Sequence, residues 1–251
     1  MKKKTMKDSK TNYDNSRWAD DSFVNEYLRD ADIYIPQRKQ VLQLIKSIFS
    51  FYVNKNTKRP YIIDLGCGDG AITKALLEIN KNLLVTLVDG SKNMLESARK
   101  NIPDTNIKNA INLSFQDLFN LSAIEDDADF IVSSLAIHHL NENEKDRLFK
   151  YVYKKLKTGG LFVNYDPVSS PSQELERLDL IIWKKWILNY EAKIRPKRKK
   201  SLDYIPLQYK NNKDNVPSSI ESQLEMMKKA GFSDVNLYYK YGLFCLFGGR
   251  K

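Results

Sequence analysis

Short apolar runs that suit strands alternate along this chain with longer stretches that suit amphipathic helices. "YIIDL", "LLVTLVD", "AINLSF", "ADFIVSSLAI" and "LFVNYD" are the runs, each separated from the next by enough residues for a crossover. Such a rhythm restricts the fold to a mainly parallel sheet with helices on both faces. The ending breaks the pattern. "SDVNLYYK" and "GLFCLFGG" follow one another too closely for a crossover of a dozen or more residues, so they must pair antiparallel. The expected fold is α/β: a Rossmann-like three-layer arrangement, with a seven-stranded, mostly parallel sheet and a C-terminal antiparallel hairpin.

The helices carry their own start and stop signals. Val41, Leu42, Ile45, Ile48, Phe49 and Tyr52 recur at helical spacing, and Pro36 suits the first turn of that helix. Ser91 can cap a helix running to Arg99. Asn141 and Glu144 form a capping-box pattern for a helix to Lys157, with Lys154 and Lys155 near its end. Ser170-Pro171-x-Gln173 and Ser218 with Glu221 open two more, the second stopped by Gly231. Residues 1–58 are therefore expected as a tail and helical cap, and residues 59–251 as the main domain. Within the latter, about 170–215 is an aromatic insertion with Trp183, Trp186, Tyr190 and Tyr204, expected as a helical lid.

Composition narrows the setting. The N-terminal lysines are followed by no apolar core, so no secretory signal is expected here. No apolar stretch approaches the roughly 20 residues that span a bilayer. Cys67 and Cys245 lie far apart, and neither sits in a metal-ligand spacing. A reduced, cytoplasmic setting without membrane or metal follows. The net charge of +10 comes mostly from lysine scattered along the chain, as on a solvated surface. "KIRPKRKK", at 193–200, is the concentrated basic run, and it suits a phosphate backbone.

The most informative stretch is "IIDLGCGDGAIT", residues 62–73, where a strand breaks into alternating glycines before a helix. Gly66, Gly68 and Ala71 satisfy the dinucleotide fingerprint. Asp64 and Asp69 argue against that ligand, because either would repel a pyrophosphate. S-adenosylmethionine carries an ammonium and a sulfonium beside its adenosine and no phosphate, and an acidic glycine loop suits it. The glycines of Gly66-x-Gly68-x-Gly70 allow close backbone approach.

On these residues the chain, over roughly 33 to 251, resembles the class I S-adenosylmethionine-dependent methyltransferases. "IIDLGCGDG" is similar to their first motif, which places Asp64, Gly66, Cys67, Gly68 and Gly70 around the methionine portion of the cofactor. "TLVDGSKNML" resembles the second. The resemblance implies that Asp89 accepts the ribose hydroxyls and that Gly90 and Met94 flank the adenine. In "FQDLF" it assigns Asp117 to the adenine amino group, with the Leu118 amide beside it. In "DFIVSSLAIHHL" it puts Ser133 and Ser134 under the ligand. "LKTGGLFVNYD" matches the family's passage into strand five, with Thr158 where proline is usual. In relatives resembling carboxy-S-adenosylmethionine synthases, a residue just after a proline in the preceding helix reaches the cofactor. That position is Arg38, whose guanidinium suits a carboxylate.

The acceptor is less constrained. "SSLAIHHL" lacks the Asp/Asn-Pro-Pro-aromatic motif of amino-methylating nucleic-acid enzymes, and no cysteine stands where a cytosine C5 nucleophile is needed. His138 and His139 are the only histidines. His139, just past strand four, is the candidate to deprotonate an acceptor, while His138 reads as packing. A small-molecule acceptor under the aromatic lid is the expected substrate. An RNA substrate reached through 193–200, a carboxy-S-adenosylmethionine synthase-like tRNA modification enzyme and a non-catalytic binding protein are the alternatives.

Overall fold

A computed structural model describes residues 20–54, 57–115, 124–196 and 201–251. Seven strands form one sheet in the order β3-β2-β1-β4-β5-β7-β6. The strands are β1 (Tyr61–Leu65), β2 (Leu84–Asp89), β3 (Ile107–Asn112), β4 (Ala128–Ser134), β5 (Leu156–Pro167), β6 (Ser233–Tyr241) and β7 (Phe244–Arg250). The first five pair in parallel, and β7 runs antiparallel to both β5 and β6, as the sequence rhythm requires. Every residue of β1 is buried, because helices cover both faces of a parallel sheet. The strand order reverses between β1 and β4, and in open α/β sheets ligands bind in the crevice at the carboxyl ends beside such a reversal.

The helices are α1 (Asp21–Tyr34), α2 (Arg38–Phe49), α3 (Ala71–Leu77), α4 (Lys92–Asn101), α5 (Glu142–Lys155), α6 (Gln173–Ile194), α7 (Ile205–Asn211) and α8 (Ile220–Ala230). The capping box of Asn141 and Glu144 is present in full. Other boundaries shift for local reasons. Gln37 takes a left-handed φ of 52°, so α2 begins two residues after Pro36, and it widens into a π-helical turn at Ser50–Asn54. α5 stops at Lys155 because Leu156 already pairs with Ala128 of β4. Ser172 caps α6, since the Ser170 hydroxyl donates to Asp179 instead (2.5 Å). Ser219 rather than Ser218 caps α8, which ends at Gly231.

α1 lies over the carboxyl ends of the strands and is tied down by α6. The Trp183 and Trp186 indoles donate to the carbonyls of Tyr34 (2.7 Å) and Ile33 (3.2 Å). These belong to the last turn of α1, where carbonyls lack partners within the helix. At the other end of α6, Arg195 pairs with Asp30 at 2.5 Å, and Arg29 flanks the same buried carboxylate. Burial alone would raise the Asp30 pKa, but the two guanidiniums outweigh it and hold the carboxyl below its ordinary value. One cation of the basic run is thus already paired with a buried carboxylate. Residues 197–200 lie outside the described residues.

Candidate functional site

A cavity of about 640 Å³ opens where the strand order reverses. Its floor is the glycine loop and the ends of β2 and β4; its cover is α1, the start of α2 and the segment Asn212–Val216. The loop is fixed by its own backbone. The Gly66 and Cys67 amides both donate to the Val88 carbonyl, at 2.8 and 3.0 Å. Gly66 and Gly70 have φ of +67° and +77°, and a Cβ on either would meet Ala136 at 2.4 Å or Ile102 at 2.6 Å. Gly68 is also left-handed, but nothing lies within 4 Å of its missing Cβ, so here the backbone faces open space.

Asp89 ends β2 at this opening. One oxygen accepts the Gly68 amide and the other the Ser91 amide, each at 2.8 Å. Burial pushes its pKa up to about 6 despite those bonds. Asp64 is fully enclosed and accepts the Thr73 hydroxyl at 2.6 Å; burial raises it to about 7, with Asp89 and Asp69 adding to the rise. Neither carboxylate touches a lysine or arginine among the described residues. Two raised acids at a concave opening, without a cation, fit a ligand that brings positive charge and hydroxyl donors. The Cys67 thiol is pushed well up by burial and by these acids, which leaves it unsuited to act as a nucleophile.

Arg38, Asp64, Gly66, Cys67, Gly68, Asp89, Gly90, Met94, Ser134 and His139 all line the cavity. Arg38 reaches it while bonded to Asp32 at 2.9 Å. Gly70 sits just behind, as the cap of α3. Ser133 does not line the cavity: consecutive strand residues face opposite ways, and its hydroxyl donates to the Leu65 carbonyl at 2.7 Å. Asp117 and Leu118 lie outside the described residues.

Other lining residues escaped the sequence reading. Leu28, Phe115, Tyr165 and Asn212–Asp214 are among them. Tyr165 had a positional signal, since it lies near the end of β5 beside Ser134; the 212–214 stretch had none. His139 lies in the cavity wall, with Nδ1 3.0 Å from the Asp214 carbonyl. A carbonyl only accepts, so Nδ1 carries the proton and Nε2 is the basic nitrogen. His138 is turned inward, with Nδ1 2.7 Å from Asp166.

Comparison with known proteins agrees with this geometry. Residues 62–160, from β1 into β5, match the family model described as a methyltransferase domain. A carboxy-S-adenosyl-L-methionine synthase from Staphylococcus epidermidis is 26% identical over 240 residues, covering 93% of this chain and 96% of the relative. One of the same name from Nautilia profundicola is 24% identical, covering 85% of each. Among solved structures, an O-methyltransferase family protein from Burkholderia thailandensis superposes with a TM-score of 0.63 at 16% identity. It aligns over 95% of this chain, which spans 62% of that protein's length. With the matching domain spanning the cavity floor and the sheet closing antiparallel, this enzyme carries a methyltransferase domain and has the fold of the class I S-adenosylmethionine-dependent methyltransferases, with S-adenosylmethionine as its cofactor.

Proposed function

We propose that this enzyme transfers a one-carbon group from S-adenosylmethionine to a small acceptor enclosed beneath α1 and the Asn212–Val216 segment. One observation carries the reading: the floor that suits the cofactor and the covered space beside it are a single cavity of about 640 Å³. That is within the range of roughly 300–1,000 Å³ for sites that enclose small ligands. When bound, the cofactor supplies a methyl group on a sulfonium, which reacts without a metal. In this reading Asp89 accepts the ribose hydroxyls, Gly66 and Gly68 let the backbone approach, Gly90 and Met94 flank the base, and Arg38 takes the carboxylate. The cover excludes water and aligns the acceptor with the methyl group. His139 Nε2 takes the acceptor proton.

A second reading is that the small molecule modifies the cofactor itself, yielding carboxy-S-adenosylmethionine. The two curated relatives above, which match this chain over most of its length, support it. Incubation with methyl-labelled S-adenosylmethionine and a metabolite extract, followed by mass spectrometry, separates the two. The first reading expects S-adenosylhomocysteine together with a labelled small product. The second expects a heavier, carboxylated S-adenosylmethionine that keeps its label. Labelled RNA with neither product would overturn both.

A further inference from the structure

The Asn212–Val216 wall belongs to no helix or strand, yet it is laced to the turn that follows β4. The Val216 amide donates to the His138 carbonyl at 2.8 Å, and His139 Nδ1 donates to the Asp214 carbonyl at 3.0 Å. Between these runs sits Lys145 of α5, with no exposed surface. Its ammonium donates to the Leu140 carbonyl and, at 2.6 Å, to the Val216 carbonyl. Leu140 and Val216 both line the cavity.

Lys145 makes no ion pair with a carboxylate at contact distance among the described residues, and burial pushes its pKa down against the charge of nearby Asp166. A buried ammonium is costly, and the same face of α5 is otherwise apolar, with Leu148, Phe149 and Val152. Packing of the helix would be served as well by methionine. What lysine adds is donors for two carbonyls that belong to different, sequence-distant segments. Without it the buried Leu140 carbonyl loses that donor, and the tie to the part-buried Val216 carbonyl is gone.

We propose that Lys145 is a positioning residue. It holds the 212–216 wall against the His138–Leu140 turn, and so keeps the Asp214 carbonyl on His139 Nδ1 and the basic lone pair on Nε2. The assignment rests on reading the cavity as a donor and acceptor site, and its test is separate from that reading. With only two histidines in the chain, ¹⁵N-histidine labelling of the full-length protein gives two imidazoles, assigned with His138→Gln. At a pH where both are neutral, wild-type His139 is expected with the proton on Nδ1. Lys145→Met and Lys145→Gln are expected to move most of that population to Nε2–H, the form favoured by free imidazole side chains. Affinity for S-adenosylhomocysteine should stay within about twofold of wild type. A wild-type His139 protonated on Nε2, or an unchanged Nδ1–H form in either folded variant, overturns the proposal. Failure of the wild type to bind S-adenosylhomocysteine would instead overturn the functional reading and leave the clamp standing.

Discussion

The floor and the cover of the cavity are built on opposite principles. The floor is held by backbone: two loop amides on one carbonyl, three left-handed glycines, and a carboxylate, Asp89, that accepts two amides. The cover is held by side chains on carbonyls and by ion pairs: two indoles, one buried lysine and two arginines on Asp30. Their electrostatics are opposed as well. Asp64 and Asp89 in the floor are raised to about 7 and 6 by burial, whereas Asp30 in the cover is lowered because guanidiniums outweigh its burial. The floor is thus electrostatically incomplete on its own, whereas the carboxylate of the cover already has its cations. A site arranged this way gains most of its electrostatic relief from the ligand at the floor.

The sharpest break in the comparison is at Gly66. Adding a Cβ at a φ of +67° brings it to 2.4 Å from Ala136, so neither backbone nor neighbour can yield cheaply. Gly66→Val is expected to cost about 3 kcal/mol of stability, from overpacking and left-handed strain together, and to abolish cofactor binding. Gly68→Ala meets no atom and should cost about 1 kcal/mol from strain alone. Thermal denaturation and calorimetry with S-adenosylhomocysteine measure both. Equal stability losses would show that steric closure does not set the loop.

Asp89→Asn tests the floor's charge. The amide side chain keeps one acceptor but loses the charge-assisted bonds, so affinity for S-adenosylhomocysteine should fall by about 1.5–3 kcal/mol, the scale for hydrogen bonds to a charged group. The expectation fails if titration shows less than a threefold change.

Acidity should then move the two regions in opposite directions. Asp64 and Asp89 bind protons in the folded state that the unfolded chain releases, so their contribution to stability is largest below about pH 4 and declines as pH rises through 6 and 7. Asp30 contributes above its ordinary value near 4, and that contribution disappears as pH falls below it. The ligand-free protein should therefore melt a few degrees higher at pH 5.5 than at pH 7.5. Affinity for S-adenosylmethionine should run the other way, rising several-fold over the same interval as Asp89 ionises. At pH 3.5, hydrogen exchange should quicken in α1 before it does in β1 or β4. A pH-independent affinity would remove the raised carboxylates from the argument.

The same contrast explains what the sequence disclosed. The floor lies within short stretches of chain, where glycines, a strand end and an acid follow one another, so the residues 62–73 and Asp89 singled out in the sequence are the ones that gather at the cavity. Errors there came from side-chain direction. Ser133 and Ser134 are adjacent, and only one can face the cavity. Asp64 looked like a ligand group, and its carboxylate is also claimed by Thr73. The cover is assembled across long separations: Lys145 reaches Val216 over 71 residues and His139 reaches Asp214 over 75. No local pattern announces such pairs. The indoles of the aromatic insertion, expected to form a lid, donate to the last carbonyls of α1 and do not line the cavity. Arg195, read as part of a phosphate-binding run, is bound to Asp30 because a buried carboxylate elsewhere in the chain needs it.

The smallest expected effect is the most informative about the cover. Trp186 is half-buried, stacks on Tyr190, and donates to the Ile33 carbonyl at 3.2 Å, whereas Trp183 is buried and donates to Tyr34 at 2.7 Å. Trp186→Phe keeps the ring stack and removes the one donor, so global stability should change by about 1 kcal/mol or less, the net worth of a neutral hydrogen bond. The Ile33 carbonyl lies in the last turn of α1, and the loss should therefore appear locally, as faster exchange of α1 amides with the sheet unchanged. If α1 is a cover that tightens on the ligand, S-adenosylhomocysteine should restore most of that protection in the variant and add protection in the wild type. If α1 is static packing, exchange in this helix will be the same with and without ligand in both proteins. The floor and cover would then be one rigid unit, and the distinction between them would concern construction alone.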